Sequence, residues 1–183
     1  MEVWDVLNKD GEPTGKTVVR KRICLAKGEY HLVVHIWVLG SDGRVLIQRR
    51  SFDKPLMPGE WAAIGGSAVS GETACSAAKR ELSEEMGIDA EECELTLIKR
   101  MVRKNSILNI FLVLKDTPLA ELHLQEEEVS EAKWVHRNKL RQMIKNGEFH
   151  NYGKDYFDAV FGAFDRRSAL RRRRKRYERR KEK

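Results

Sequence analysis

Cysteine is scarce in this chain of 183 residues, which contains only Cys24, Cys75 and Cys93. An odd number of cysteines without metal-ligand spacing argues against a disulfide framework or a zinc site, and favours reduced, mostly buried thiols. No apolar run reaches membrane-spanning length, and the first residues, MEVWDVLNKDG, lack a basic segment followed by an apolar one. We therefore expect no membrane span, no secretory signal and a cytoplasmic location.

Positive charge is concentrated at one end of the chain. Residues 166–183 contain 12 basic and 2 acidic residues, which leaves 23 basic and 26 acidic residues in positions 1–165. The body is therefore mildly acidic, and the overall charge of +7 comes from the tail. Two interpretations of residues 166–183 stay open: a solvated terminus, disordered or helical, and a segment that contacts polyanions such as RNA or acidic lipid.

Hydrophobic patterns predict a mixed α/β domain built around a sheet, with few helices. We expect a single domain over residues 1–165, with residues 1–30 as an N-terminal extension packed on it and residues 154–165 as a C-terminal helix. Strands are predicted over residues 2–7, 31–40, 44–50, 61–66, 94–104, 107–115 and 131–135, with hairpins at 31–50 and 94–115. Helices are predicted from residue 72 or 73 to residue 86, before Gly87, and over residues 137–147, with Asn138 as the N-cap and Gly147 as the stop.

The helix predicted before Gly87 gathers an unusual number of carboxylates on one face. Because residues advance by about 100° along a helix, Glu81, Glu84 and Glu85 fall within an arc of about 100°. Crowded like charges destabilise a helix unless something neutralises them. Hard divalent cations such as Mg²⁺ or Mn²⁺ prefer oxygen ligands and also bridge phosphate oxygens. A solvated acidic face is the alternative, but three alanines lie on nearly the same side (Ala74, Ala77 and Ala78).

The segment GGSAVSGETACSAAKRELSEEMGI resembles the Nudix box at every fixed position. These positions are Gly66, Glu72, Arg80, Glu81, Leu82, Glu84, Glu85, Gly87 and Ile88. Nine specified positions in 23 residues are a specific match. The resemblance implies the Nudix fold, an α/β/α sandwich with a mixed β-sheet.

The same resemblance implies hydrolysis of a diphosphate bond in a small organic substrate, for example a nucleoside diphosphate linked to another group. By the family pattern, Glu84 and Glu85 bind Mg²⁺ directly, with Mn²⁺ as a substitute. Glu81 is a further ligand or orients the attacking water. The backbone carbonyl of Gly66 completes the metal site, and the fold is compatible with a homodimer.

Two further roles follow from the resemblance. Glu72 and Arg80 would form a buried pair that holds the loop against the helix, as structural support rather than catalysis. Nudix enzymes often take another carboxylate from outside the box, and the segment HLQEEEVSEAKWV offers four glutamates. We select Glu128, six residues before Trp134, as a metal ligand or general base, and expect most of these glutamates to be solvated loop residues.

The segment QRRSFDKPLMPGEW resembles the matching loop of isopentenyl-diphosphate isomerases, which share the Nudix fold. Arg50 and Lys54 correspond to diphosphate-contacting residues there. Those enzymes require a cysteine, and a histidine two residues later, before the box helix, where this chain has Gly65 and Ser67. We therefore expect an isomerase-like branch that keeps hydrolase chemistry. The alternatives are an isopentenyl-diphosphate isomerase-like enzyme and a non-catalytic module that binds a nucleotide or RNA.

Overall fold

The computed structural model describes residues 2–20 and 25–181, which belong to two units, Met1–His150 and Asn151–Lys183. Cys24 and the last two residues of the basic tail lie outside the described residues. The strands are β1 (Val3–Leu7), β2 (Pro13–Val19), β3 (His31–Leu39), β4 (Arg44–Arg50), β5 (Trp61–Ala62), β6 (Thr96–Val102), β7 (Ser106–Leu114) and β8 (Val129–His136). The helices are α1 (Ala74–Met86), α2 (Arg137–Lys145) and α3 (Lys154–Lys181), with short 3₁₀ turns at Glu92–Glu94 and Leu119–Glu121.

A six-stranded mixed sheet forms the centre of the first unit. Its order is β5-β4-β3-β7-β6, and β8 also pairs with β4. Strands β3 and β7 are parallel, whereas the other pairs are antiparallel. Strand β3 is almost continuously apolar because neighbouring strands flank it and its second half is buried. The predicted mixed α/β class and both predicted hairpins, β3–β4 and β6–β7, are confirmed.

The centre of this sheet is split between β3 and β4. These two strands pair at only two positions near the turn that joins them. Farther along, β4 pairs with β5, where Gln48 is opposite Ala62. The segment after β5 instead runs along β3, where Ile36 is opposite Ile64. The chain that leads to α1 is therefore inserted in the middle of the sheet, with its glycine pair next to β3.

Helix α1 has the boundaries that its sequence signals predict. Thr73 is the N-cap, and its Oγ1 accepts a hydrogen bond from the Ser76 N–H at 3.1 Å. Gly87 ends the helix in the left-handed conformation at φ 66°. One face is fully buried in the core and includes Leu82 and Met86. The helix is thereby fixed against the sheet, so the position of its carboxylates is fixed as well.

Strands β1 and β2 form a separate antiparallel hairpin at the N-terminus. Hydrogen bonds attach β1 to the loop that precedes α1. The Ser70 N–H donates to the Val3 carbonyl at 2.8 Å, and Asp5 accepts from the Ser70 hydroxyl at 2.6 Å and from the Gly71 N–H at 2.8 Å. The hairpin is therefore attached to the segment that carries the box.

The predicted N-cap of α2 is wrong. The helix begins at Arg137, so Asn138 lies inside its first turn. His136 is the N-cap, and its side chain makes no capping hydrogen bond. Strand β8 runs directly into α2, and the helical register is set by the burial of Leu140 and Met143. Tertiary packing therefore overrides the local capping preference of asparagine.

The second unit contains α3, which continues without a break through residue 181. Aromatic side chains contact one another in its first turns, with ring centroids 6.3 Å apart for Phe157 and Phe161 and 5.9 Å apart for Phe161 and Phe164. In the part of the chain that the structure describes, no helix is both long and apolar enough to cross a membrane.

Candidate active site

One cleft of about 260 Å³ brings together most of the residues predicted for the site. Its walls include Gly66, Glu81, Glu84, Glu85, Glu128 and Arg50. The first four come from the box, Arg50 ends β4, and Glu128 immediately precedes β8. Lys54 reaches the same place through its contact with Glu128. The fold therefore brings together acidic and basic side chains that lie far apart in the sequence.

Glu85 is the most deeply buried carboxylate of the cleft, with 3% of its surface exposed. Its Oε2 accepts hydrogen bonds from the Gln48 Nε2 at 2.9 Å and from the Gly65 N–H at 3.1 Å. Burial raises the pKa of Glu85 to about 8, and the charge of Glu81 adds to that rise. The carboxylate is therefore held in a fixed position, where the Gly65 N–H and the charge of Arg50 only partly offset the effect of burial on its ionisation.

Arg80 binds three carboxylates at once. Its Nε and Nη2 form two bonds to Glu72, at 2.7 and 3.0 Å, which is the predicted supporting pair. Its Nη1 donates to Glu81 and to Glu84, both at 2.9 Å. Nη2 also donates to the Ser67 carbonyl at 3.1 Å, which joins helix and loop. Arg80 thus offsets the charge of two of the predicted metal ligands as well as bracing the loop.

Lys54 and Glu128 form one ion pair, with Nζ and Oε1 2.5 Å apart. Both side chains are mostly buried. A backbone hydrogen bond from the Ser51 N–H to the Glu128 carbonyl, 2.8 Å long, joins the two loops that carry them. The residue predicted to contact phosphate and the residue predicted to act as a base are therefore each other's partner.

The donor set of the cleft fits a hard divalent cation such as Mg²⁺. All of its candidate ligands are oxygens, from four carboxylates and the Gly66 carbonyl. A Cβ on residue 66 would lie 2.5 Å from the Glu81 Oε1, so only glycine leaves that carboxylate its place. The Gly66 carbonyl accepts a hydrogen bond from the Val34 N–H at 2.9 Å and has one lone pair left.

The carboxylates are at present directed at protein donors. Within the described ranges, no three acidic, histidine or cysteine side chains are already spaced to hold a metal ion. Glu81 and Glu84 contact Arg80, and Glu128 contacts Lys54. Binding of a cation therefore requires these carboxylates to exchange one positive partner for another.

Gly65 cannot be replaced without moving the backbone. Its φ is +143°, and a Cβ built there would lie 2.0 Å from the Val34 carbonyl oxygen. Contacts shorter than 3.0 Å essentially never occur for a real Cβ. The position that an isomerase would need for its cysteine is therefore closed to any side chain along this backbone path.

Several residues at the cleft escape prediction from the sequence, among them Gln48, Glu2 and Arg20. Gln48 is fully buried in β4, and a signal for it exists: a single amide in the apolar run VLIQ. Glu2 and Arg20 also line the cleft. No local pattern identifies them, because their place depends on how the N-terminal hairpin packs.

The free energy of unfolding of the metal-free protein is expected to fall as the pH rises from about 5 to about 8. Burial raises the pKa of Glu81 to about 7 and that of Glu85 to about 8, against an ordinary value of 4.5. Above pH 4.5 the folded state keeps protons that the unfolded chain has released, so a rise in pH favours unfolding until both folded carboxyls ionise. With a chelator present, the Tm should be lower by about 5 °C or more at pH 8 than at pH 5.5. Glu85→Gln should flatten this slope, and a pH-independent Tm would contradict the buried carboxyls.

Helix α1 brings carboxylate oxygens together in a recessed cleft of a mixed α/β fold, and oxygen donors of this kind are the type that hard divalent cations prefer. A family model described as NUDIX domain matches residues 29–155. The chain therefore belongs to the Nudix family and is a Nudix hydrolase.

Relatives agree with this assignment. The chain is 39% identical over 153 residues to an uncharacterized Nudix hydrolase of Listeria monocytogenes, a match that covers 83% of this chain and 90% of the relative. It is 28% identical over 148 residues to an isopentenyl-diphosphate Delta-isomerase of Clavibacter sepedonicus, covering 76% of each. The crystal structure of DR0079 from Deinococcus radiodurans has the same fold, with a TM-score of 0.69 and 24% identity over 82% of this chain and 93% of that one. The predicted Nudix fold and the resemblance to isomerases are thereby confirmed.

Proposed function

We propose that this protein is a Mg²⁺-dependent hydrolase that cleaves a diphosphate bond in a small organic diphosphate, such as a nucleoside diphosphate linked to another group. One observation carries the proposal: a single cleft combines oxygen donors for a cation with positive side chains for phosphate. The carboxylates that would hold Mg²⁺ and the basic side chains that would bind the phosphates therefore lie in or next to the same cleft.

The side chains of the cleft have three proposed roles: they bind the metal, orient the water and bind the phosphate. Glu84 and Glu85, with the Gly66 carbonyl, hold the cation, and Glu81 either joins them or orients the attacking water. When bound, Mg²⁺ supplies Lewis-acid polarisation of the phosphate oxygens. Arg50 binds the phosphate that is not attacked, where its charge offsets the negative charge of the leaving group.

Exchange of partners by Lys54 links substrate binding to catalysis. In the substrate-free protein Lys54 neutralises Glu128. A phosphate that draws Lys54 away frees the carboxylate of Glu128 to accept a proton from water. The water oxygen then bonds to phosphorus, the bond from phosphorus to the bridging oxygen breaks, and a phosphate monoester leaves.

A substrate-panel assay tests the proposed function. The protein is incubated with Mg²⁺ or Mn²⁺ and with nucleoside triphosphates, nucleotide sugars, dinucleoside polyphosphates and prenyl diphosphates. Release of phosphate or a monophosphate from at least one class, abolished by a chelator, is the expected result. Binding without release would favour a non-catalytic module, and rearrangement of isopentenyl diphosphate without phosphate release would favour an isomerase.

The basic tail is expected to be dispensable for hydrolysis. Residues 166–181 continue α3 in the second unit, and none of the predicted site residues lies among them. Deletion of residues 168–183 should leave kcat and KM within about twofold of the full chain at moderate salt, because long-range charge effects are screened there. RNA binding that weakens with salt and disappears on deletion would support contact with a polyanion, and its absence in the full chain would support a solvated terminus.

A further inference from the structure

The N-terminal hairpin places a positively charged side chain, Arg20, in the cleft, and the proposed function gives this side chain no role. Arg20 directly follows β2 and Glu2 directly precedes β1, and both line the cleft together with Glu84. Both lie outside residues 29–155, the part of the chain that the family model matches. A role for them is therefore specific to chains that carry this hairpin.

Arg20 and Glu2 form a defined pair at the edge of the cleft. The Arg20 Nη1 lies 2.6 Å from the Glu2 Oε2, and the Trp4 indole N–H donates to the Glu2 Oε1 at 2.7 Å. The Arg20 guanidinium carbon lies 5.9 Å from the centre of the Trp4 ring. That ring is itself stacked on His31, with centroids 4.3 Å apart. The Glu2 carboxylate is thus held by both oxygens, whereas 51% of the Arg20 side chain remains exposed.

The attachment of the hairpin to the loop before α1 holds this pair close to the glutamates of α1. Three hydrogen bonds join β1 to Ser70 and Gly71, in the loop between Gly66 and α1. The charge of Arg80 reaches Glu2: burial alone would raise the pKa of Glu2, but hydrogen bonds from Trp4 and Arg20, with the charges of Arg20 and Arg80, hold it below its ordinary value. The pair therefore lies at the edge of the cleft, within reach of the charge of Arg80.

A diphosphate that enters the cleft must draw basic side chains away from the carboxylates with which they form ion pairs. Arg80 is bound to three carboxylates and is the hardest to release. Among the described residues, Arg20 forms one ion pair, with Glu2, and it also lies against the Trp4 ring. The ion pair is partly exposed, and such pairs contribute little. Arg20 binds Glu2 through a single bond, from Nη1 to Oε2, whereas a guanidinium can bind a phosphate through two parallel bonds, so a phosphate can replace that carboxylate with little loss.

We propose that Arg20 binds the substrate phosphate that is not attacked, together with Arg50, and that Glu2 competes with this phosphate for Arg20. The inference rests on the proposed function, because it requires a diphosphate in the cleft. It makes the N-terminal hairpin part of the substrate site and selects for substrates with a second phosphate or an equivalent anion beyond the bond that is cleaved.

Four variants of the full chain test this inference by calorimetric titration with methylenediphosphonate and Mg²⁺, a probe that is not hydrolysed. Arg20→Gln should raise the Kd about tenfold or more, because it removes charge-assisted hydrogen bonds. Glu2→Gln should lower the Kd by about threefold, because the competing anion is gone while Arg20 remains. Arg20→Lys should have a Kd between those of the wild type and Arg20→Gln. Lys16→Gln breaks another ion pair of the hairpin, Lys16–Glu29 at 2.8 Å, and should leave the Kd unchanged.

A purely structural ion pair gives a different pattern. Loss of either partner would then have the same effect, so equal weakening in Arg20→Gln and Glu2→Gln overturns the inference, as does an unchanged Kd in Arg20→Gln. If Arg20→Gln does not fold, as judged by its thermal unfolding, the direction in which Glu2→Gln changes the Kd still distinguishes the two interpretations. Turnover by the wild-type protein tests the proposed function separately, because the Kd is measured without hydrolysis.

Discussion

Glu85→Gln is expected to lower kcat by about 10³-fold or more while the fold stays intact. The carboxylate is buried, and its Oε2 accepts hydrogen bonds from the Gln48 side chain and the Gly65 N–H. The amide oxygen of glutamine can accept both bonds in the same place, so packing is kept. The negative charge is lost, and with it one of the proposed ligands of Mg²⁺. Because that charge is unfavourable in the metal-free protein, the variant should be at least as stable as the wild type at pH 8.

The measurement is kcat on the best substrate at saturating Mg²⁺, with circular dichroism and Tm as checks on folding. Glu91→Gln is the matched control, because Glu91 is an exposed glutamate whose ion pair with Lys79 lies outside the cleft. It should keep full activity. If Glu85→Gln also kept near-normal kcat, Glu85 would not be a metal ligand and the assignment of the carboxylate face would be wrong.

Local signals account for the part of the site that the sequence predicts. The bounds of α1 follow from a threonine that caps it and a glycine that ends it. The spacing of its glutamates in the sequence therefore gives their positions on the helix surface. The hairpins follow from runs of β-branched residues broken by short turns. These features depend on neighbours in sequence, which is why periodicity and capping residues are enough to find them.

Contacts between distant segments account for the rest. The parallel pairing of β3 with β7 joins strands that more than 60 residues separate, and no local pattern specifies it. Likewise, the family resemblance predicts phosphate contact for Lys54 and a role as metal ligand or general base for Glu128, but their direct ion pair is visible only when the two loops meet. Arg20 enters the cleft because a hairpin folds back onto the box loop.

The partners of the carboxylates suggest why the metal-free site is stable at all. Three glutamates on one helix face would repel one another, but Arg80 forms ion pairs with Glu81 and Glu84, and Lys54 forms one with Glu128. Glu85 instead depends on amide donors and on proton uptake. The cleft therefore holds its charges in pairs that a cation and a diphosphate can replace, and Glu85 is the position at which added positive charge has the largest effect.

Replacement of Gly65 by alanine is expected to lower the free energy of unfolding by about 3 kcal/mol or more. The added Cβ would lie 2.0 Å from the Val34 carbonyl oxygen and 3.0 Å from the His35 Cα, and neither atom is the end of a flexible side chain. Gly71→Ala is the control, since φ is +87° there but nothing lies within 4 Å of the added carbon. It should cost about 1 kcal/mol from backbone strain alone. Urea unfolding of both variants separates the clash from the strain.

The same geometry decides between hydrolase and isomerase chemistry. A cysteine at position 65 requires another path for the backbone between β5 and α1, and that backbone also donates the hydrogen bond to Glu85. Gly65→Cys combined with Ser67→His should therefore disturb the carboxylate face and lose hydrolase activity without gaining isomerase activity. Rearrangement of isopentenyl diphosphate by a stably folded double variant would show that this segment can shift at low cost, and the distinction drawn from Gly65 would then fail.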